Sequence, residues 1–140
     1  MTRGSGQYLF RGFAVWLVIA LAEVMHGTLR TLYLSPLVGD LPSRQIGVLT
    51  GSLMIVAIAC LTVRWIGRND TKSLQRVGAM WLLLMLGFEV TVGRASGLSW
   101  ERILSDYLPW RGGFMPAGML VVAVAPLLAR HLRAVNHRTD

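Results

Sequence analysis

The stretch Leu21-Ala-Glu-Val-Met-His-Gly-Thr-Leu-Arg30 decides the fold, because it places a carboxylate, an imidazole and a guanidinium inside a long apolar run. Glu23, His26 and Arg30 follow the spacing i, i+3, i+7, so they project from one face of a helix. A charge in hydrocarbon is costly and usually serves a function or has a partner. The stretch therefore predicts a membrane-spanning helix that carries a polar stripe.

Four apolar runs of membrane-spanning length make up most of the chain. Soluble domains carry about 25% charged residues, whereas this sequence of 140 residues carries 15% and is 54% hydrophobic. A span needs about 17–25 residues of helix, and no segment is left over for a soluble domain. We therefore predict an all-α, four-transmembrane-helix bundle that forms a single integral membrane domain over residues 1–140. The predicted spans are Phe10–Tyr33, Ser43–Ile66, Leu74–Ala95 and Trp110–Arg133.

An internal repeat relates the two halves of the chain. With an offset of 66 residues, identical residues recur from position 12 to position 64, and they pair Glu23 with Glu89 and Asp40 with Asp106. Both halves begin on the same side of the membrane, so we predict two parallel-repeat helical hairpins around an axis along the membrane normal. The predicted repeats cover about residues 10–67 and 74–133, each with a short interfacial helix between its spans.

Local signals place the ends of the helices. Ser35 is predicted to cap a short helix with Pro36 at its first position, and Ser99 is predicted to cap a second, amphipathic one. Arg68-Asn-Asp-Thr71 has the composition of a turn into a capped helix. The fourth predicted span contains two prolines, which predict a kink there. These prolines are Pro116 and Pro126.

Aromatic residues and glycines are predicted to serve the membrane fold. Aromatic residues near the predicted span ends are expected in interfacial belts, and glycines within the spans are expected where helices pack closely. The belt candidates are Trp16, Trp65, Trp81, Trp100, Tyr107 and Trp110. The packing candidates are Gly27, Gly47, Gly51, Gly87, Gly93, Gly113 and Gly118.

The basic residues are distributed unequally between the two sides of the predicted bundle. The formal net charge is +7, and 9 of the 14 Lys and Arg residues lie on the side that carries both termini. The positive-inside rule then predicts a multi-pass protein of the bacterial cytoplasmic (inner) membrane with both termini in the cytoplasm. Basic side chains at the cytoplasmic ends of the spans face lipid headgroups. We therefore predict the lipid bilayer as a partner and no binding of nucleic acid.

Glu23 and Glu89 are the main candidates for function. Two close carboxylates do not easily carry charge together, so the pair is a candidate for handling protons or cations. The alternative is structural, with each glutamate neutralised by an arginine or hydrogen-bonded as the neutral acid. Arg30 and Arg94, one or two turns farther out, either reach the headgroups or supply counter-charge. The predicted outer vestibule comprises Arg30, Asp40, Arg94 and Asp106.

His26 adds a third candidate for ion or proton handling. Glu23-x-x-His26 resembles half of a di-iron bundle motif, and Glu89 could complete a set of three metal ligands. A hydrogen-bonded histidine beside Glu23 is the interpretation that we prefer, so we predict no metal site and no cofactor. The sequence contains no nucleophile triad, phosphate loop or paired-cysteine motif, and it gives no positive sign of an enzyme or of catalytic residues.

Two resemblances bear on function. Glu23-x-x-His26-Gly-Thr-x-Arg30, together with Gly87-Phe-Glu-Val90 and Ser99-Trp-Glu-Arg102, resembles small bacterial four-span integral membrane proteins of unassigned function. Leu21-Ala-Glu-Val24 with Thr28-Leu29 resembles the first helix of small multidrug resistance exporters. That resemblance implies that Glu23 exchanges protons for cationic drugs. It covers only the first span, and those exporters lack a counterpart of Glu89.

These observations predict a small polytopic membrane protein that acts as a proton- or cation-linked transporter or channel for small solutes, through its glutamate pair. The alternative is an accessory or scaffold subunit of a larger membrane complex. A weaker alternative is a membrane protein that binds metal or haem through His26. We expect either a homo-oligomer or a partner membrane subunit.

Overall fold

In the computed structural model, the backbone of residues 2–139 is described, with the side chains of residue 4 and residues 6–139. Over these residues the chain is helical, with 89% of it in helices and no strand. Four of the helices are long and apolar enough to cross a membrane, which confirms the predicted all-α, four-helix membrane protein. The helices are α1 (Thr2–Leu29), α2 (Ser35–Val38), α3 (Asp40–Ile66), α4 (Thr71–Ala95), α5 (Trp100–Ser105) and α6 (Met115–Thr139).

The four long helices form a bundle in which α1 and α6 each pack against both α3 and α4. Helices α1 and α6 therefore lie across one diagonal of the bundle, and α3 and α4 lie across the other. Buried apolar side chains fill the half of the bundle that contains both chain termini. We call this region the packed half, and its core includes Val15, Ile19, Ala59, Ile66, Leu74, Val77, Trp81, Ala125 and Ala129.

Trp81 lies at the centre of the packed half and not in an interfacial belt. Its side chain is 0% exposed, and its indole Nε1 donates a hydrogen bond of 2.8 Å to the carbonyl of Gly12. Trp16 is also buried and packs edge-on against the ring of Phe88. The belt prediction is therefore wrong for Trp81 and Trp16. The indole of Trp81 can be buried because it has an internal hydrogen-bond partner, whereas Trp16 Nε1 has none among the described residues and its ring is buried by packing against Phe88. Trp65, Trp100 and Trp110 are exposed.

The tightest approach of two helix backbones lies at Gly78, which is not one of the predicted packing glycines. A Cβ atom on Gly78 would overlap the backbone carbonyl of Ala123 on α6. By contrast, a Cβ atom on Gly27 or Gly87 would meet no atom within 4 Å. The prediction of close packing is therefore wrong for Gly27 and Gly87, and the contact between α4 and α6 depends on Gly78.

The first hairpin turns more tightly than predicted. A π-helical segment, Arg30–Leu34, joins α1 to the four-residue α2, so the chain stays helical through Ser35. Ser35 makes no capping hydrogen bond, which corrects the predicted cap, and its hydroxyl donates instead to Ser43 Oγ at 2.8 Å. Gly39 breaks the helix with φ at 90°, a conformation that residues with a Cβ rarely adopt.

The second hairpin contains the separate short helix that the sequence predicts. Ser99 caps α5 by accepting a hydrogen bond from the amide of Arg102, and Asp70 caps α4 by accepting one from the amide of Ser73. Hydrogen bonds from Ser73 hold the pKa of Asp70 below its usual value, so this cap is ionised at neutral pH.

The last long helix begins later than predicted. It starts at Met115 and not at Trp110, because Pro109–Arg111 forms a 3-10 turn that ends at Gly112. Pro116 therefore lies in the first turn of α6, where its missing amide hydrogen breaks no helical bond. Only Pro126 lies inside the helix.

Replacement of Gly78 by alanine tests the contact between α4 and α6. We expect Gly78→Ala to destabilise the folded protein by about 1–3 kcal/mol, because the new methyl group overlaps backbone that cannot rotate away. Reversible unfolding in mixed micelles would measure the change. Gly87→Ala on the same helix is the matched control and should be neutral or slightly stabilising. Equal effects of the two substitutions would contradict the assignment.

Candidate functional site

The half of the bundle opposite the packed half contains a half-open cavity of about 620 Å³. All four long helices and the α5 segment contribute to its wall. We call this space the polar cavity, because many of its lining side chains are charged or polar. Its polar lining includes Glu23, His26, Arg30, Asp40, Arg44, Gln45, Ser52, Glu89, Arg102, Asp106 and Tyr107.

Glu23 and Glu89 both line the polar cavity, although they lie on different helices. Among the described residues, neither carboxylate forms an ion pair, and Glu23 Oε1 is buried without any hydrogen-bond partner. A Cβ atom on Gly51 would lie 3.0 Å from Glu23 Oε1. The absence of a side chain at Gly51 on α3 therefore makes the space that this carboxylate occupies.

His26 is held beside Glu23 by a hydrogen bond to α3. Its Nε2 atom lies 2.7 Å from Thr50 Oγ1. Thr50 Oγ1 also lies 3.0 Å from the carbonyl of Ile46, so the hydroxyl can donate to that carbonyl while it accepts a hydrogen bond from His26 Nε2. In that arrangement the neutral ring is the Nε2–H tautomer, and its Nδ1 atom is free to accept a hydrogen bond.

Arg30 extends along α3 toward the start of this helix, at the end of the cavity farther from the packed half. A Cβ atom on Gly47 would lie 3.2 Å from Arg30 Nε, so this glycine makes room for the arginine as Gly51 does for Glu23. The guanidinium donates to Ser43 Oγ at 3.3 Å. Among the described residues, no carboxylate lies within the 4.0 Å of an ion pair. Arg30 is therefore a part-buried cation without an acidic partner.

Four charged side chains form a ring at the end of the cavity that is farther from the packed half. We call it the Asp–Arg ring, and it comprises Asp40, Arg44, Arg102 and Asp106. Asp40 Oδ2 lies 3.0 Å from Arg44 Nε and 3.3 Å from Arg102 Nη2, and Asp106 Oδ2 lies 3.1 Å from Arg102 Nη1. Arg44 Nη1 also pairs with Asp106 Oδ1. Each aspartate contacts both arginines, so the ring is neutral and ties α3 to the α5 segment.

Tyr107 lies in the wall between the Asp–Arg ring and the glutamates. Its hydroxyl is buried and has no hydrogen-bond partner among the described residues. Burial, followed by the negative charges of Glu89 and Asp106, raises the pKa of Tyr107 to about 12. The phenol therefore stays neutral at physiological pH and presents a hydrogen-bond donor to the cavity.

The polar cavity brings together six of the seven candidates from the sequence. Arg94 is the exception, since its guanidinium donates to the carbonyl of Leu98 and stacks on the ring of Trp100. Arg44, Arg102 and Tyr107 also line the cavity but were not predicted as site residues. Opposite charges four residues apart, in Asp40-x-x-x-Arg44 and Arg102-x-x-x-Asp106, indicate two local ion pairs, but they do not indicate that the two pairs meet in a ring. The six grouped candidates are Glu23, His26, Arg30, Asp40, Glu89 and Asp106.

The grouped side chains do not form a metal centre. Among residues 2–139, no set of three His, Cys, Asp or Glu residues lies close enough to hold a metal ion. Glu23, His26 and Glu89, the potential metal ligands in the sequence, share the polar cavity without forming such a set.

Comparison with known proteins adds no family assignment. No protein family, no curated protein and no solved structure matched this chain. The resemblances to four-span proteins and to small multidrug resistance exporters therefore stay predictions from short motifs.

A double-mutant cycle on Arg44 and Asp106 tests the Asp–Arg ring. We expect a coupling energy of about 1–3 kcal/mol between Arg44→Gln and Asp106→Asn, because the pair is mostly shielded from solvent. The matched control is the pair Glu101–Arg111, which lies 3.8 Å apart with the Glu101 side chain 84% exposed. Its coupling should stay below about 0.5 kcal/mol. Similar coupling in both cycles would show that the ring is no stronger than a surface contact.

Proposed function

We propose that the protein is a proton- or cation-linked transporter of small solutes, with Glu23 and Glu89 as the ion-handling pair. One observation carries the proposal. Both carboxylates line a single cavity in the bundle, and Glu23 Oε1 is buried there without a hydrogen-bond partner. A buried carboxylate without a partner is stabilised by taking up a proton or a cation.

The charge balance of the polar cavity favours cations. The Asp–Arg ring is neutral by itself, since it contains two aspartates and two arginines. The remaining charged groups are the Glu23 and Glu89 carboxylates and the Arg30 guanidinium, when His26 is counted as the neutral ring. Two negative charges against one positive charge leave a formal excess of one negative charge in the cavity. This excess supports uptake of a proton or another monovalent cation.

The two halves of the bundle favour a transporter over an open channel. The polar cavity occupies one half, whereas the packed half is filled by buried side chains such as Ile19, Val77 and Trp81. A channel needs a continuous path, but a transporter opens its site to one side of the membrane at a time. The confinement of the polar cavity to one half of the bundle supports a transporter that opens to one side at a time.

The accessory-subunit function is the second candidate, and the Asp–Arg ring favours it. Each charged group of the ring has two partners, so Asp40 and Asp106 have a sufficient structural role without any transported solute. Under this alternative the glutamates would also pair with arginines, in a complex with a partner subunit or a second copy. Removal of either glutamate would then leave a buried arginine unpaired.

We also propose that the protein lies in the bacterial cytoplasmic membrane with both termini in the cytoplasm, so that the polar cavity opens to the periplasm. The excess of basic residues at the end that carries the termini supports this orientation. Two reporters fused to the C-terminal end of the chain test this orientation. We expect activity from a reporter that works only in the cytoplasm and no activity from a reporter that works only in the periplasm. The opposite pattern would reverse the direction that we give to the cavity.

Charge removal at the two glutamates tests transport. We expect Glu23→Gln and Glu89→Gln to fold normally and to reduce proton entry into proteoliposomes to the level of protein-free vesicles, because glutamine keeps the size but cannot carry the proton. A dye inside vesicles energised by a potassium diffusion potential would report the flux.

Glu101→Gln is the matched control, since Glu101 is exposed and lies outside the polar cavity. It should retain the full proton flux. Undiminished flux in the Glu23→Gln/Glu89→Gln double variant would refute the transport proposal. Loss of expression in both single variants would favour the accessory-subunit candidate.

A further inference from the structure

The polar cavity holds charges of both signs that do not form ion pairs with each other. Arg30 has no acidic partner, and Glu23 and Glu89 have no basic partner, within ion-pair distance among the described residues. Elsewhere in the same cavity, every charged group of the Asp–Arg ring is paired. The unpaired charges are therefore confined to the interior of the cavity, where the absence of a partner is most costly.

The position of α3 explains why Arg30 and Glu23 stay apart. Arg30 lies against Gly47 and reaches toward Ser43, whereas Glu23 lies against Gly51. Gly47 and Gly51 are one helical turn apart, which is about 6 Å along the axis at 1.5 Å per residue. The guanidinium points away from the carboxylate along α3, so the opposite charges lie beside successive turns of this helix and farther apart than the 4.0 Å of an ion pair.

We propose that the polar cavity binds a small zwitterion, whose anionic group pairs with Arg30 and whose cationic group pairs with Glu23 and Glu89. A simple cation would neutralise the carboxylates but leave the Arg30 guanidinium unpaired. A simple anion would pair with Arg30 but be repelled by both glutamates. Only a ligand that carries both charges satisfies all three groups, and a guanidinium binds a carboxylate or phosphate with two parallel hydrogen bonds.

The dimensions of the polar cavity fit such a ligand. Its volume of about 620 Å³ lies within the range of about 300–1,000 Å³ for small-molecule sites. Met85, Phe88 and Met119 line the cavity beside the glutamates and can contact the hydrocarbon chain between the two charges. Charge centres joined by a short flexible chain can span a gap of about 6 Å when each also makes a hydrogen bond of about 3 Å.

This inference rests on the proposed function, because it takes the polar cavity as the solute site and names the chemical class of the solute. The same chemistry occurs in a free ω-amino acid and in the headgroup of phosphatidylethanolamine. Both pair an ammonium group with an anion, so the ligand could enter from water or from the bilayer.

Binding of charged probes to the purified protein in phosphatidylglycerol nanodiscs tests the zwitterion site. The probes are 4-aminobutyrate and 6-aminohexanoate, with butylammonium and butyrate as single-charge controls, and calorimetry would give the affinities. We expect at least one zwitterion to bind about tenfold or more tightly than either single-charge probe, since each charged hydrogen-bonded contact adds affinity. Equal binding of butylammonium and the zwitterions would overturn the proposal, and this comparison needs no variant to fold.

Variants assign the two ends of the ligand. Arg30→Gln should weaken zwitterion binding about tenfold without weakening butylammonium binding, whereas Glu23→Gln should weaken both. Arg111→Gln is the matched control, since Arg111 lies outside the polar cavity and is exposed. Unchanged zwitterion affinity in Arg30→Gln would overturn the assignment of the anion site.

Two further measurements separate the sources of the ligand and the two proposals. If added phosphatidylethanolamine in the nanodiscs abolishes binding of the free zwitterions, the lipid headgroup is the ligand of the same site. If it has no effect, the ligand is a free solute. Glutamate-dependent proton flux without zwitterion binding would overturn this inference and leave the transport proposal intact. Zwitterion binding without glutamate-dependent proton flux would overturn the transport proposal and leave this inference intact.

Discussion

The need to bury charge inside a lipid-facing bundle is the constraint on which the structure depends. A charged group in hydrocarbon is costly unless it is paired, hydrogen-bonded or in contact with water. The described residues meet this requirement in two ways. The Asp–Arg ring pairs two aspartates with two arginines at one end of the polar cavity. Deeper in the cavity, Glu23 and Glu89 stand at the wall of a half-open space and have no such partners.

This difference divides the bundle into two halves with different physical characters. The packed half is filled by apolar contacts and contains the buried hydrogen bond from Trp81 to the carbonyl of Gly12. The polar cavity is lined by polar and charged side chains, and the Asp–Arg ring ties α3 to the α5 segment at the end farther from the packed half. Interiors packed to the density of a crystal resist deformation, so the packed half serves as the rigid support for the glutamates.

Glycines on α3 connect the packing to the site. Gly47 and Gly51 do not bring two helices together, as glycines in membrane helices often do. They instead provide the space in which the Arg30 side chain and the Glu23 carboxylate lie. The π-helical segment that follows α1 begins at Arg30 itself, and π-helical turns are frequent at functional sites. The π-helical geometry of the backbone therefore sets the direction in which the Arg30 side chain projects.

The sequence alone determined the class of the protein and most of its candidate site. Four apolar runs specify four spanning helices because the length and hydropathy of a span are local properties. The helix caps at Asp70 and Ser99 could also be predicted from the sequence, since a cap depends on residues three positions apart. The intramembrane acids and bases stood out because charge is rare in such runs.

Only the tertiary structure decided which charges are paired and which are not. Arg44 and Arg102 look like ordinary surface arginines in the sequence, but α3 and α5 bring them against Asp40 and Asp106 to complete the ring. Trp81 was expected at the membrane–water interface, yet it is buried because its indole can donate a hydrogen bond to the carbonyl of Gly12 on α1. Contacts between residues more than sixty positions apart depend on how whole helices pack, and no local pattern records that packing.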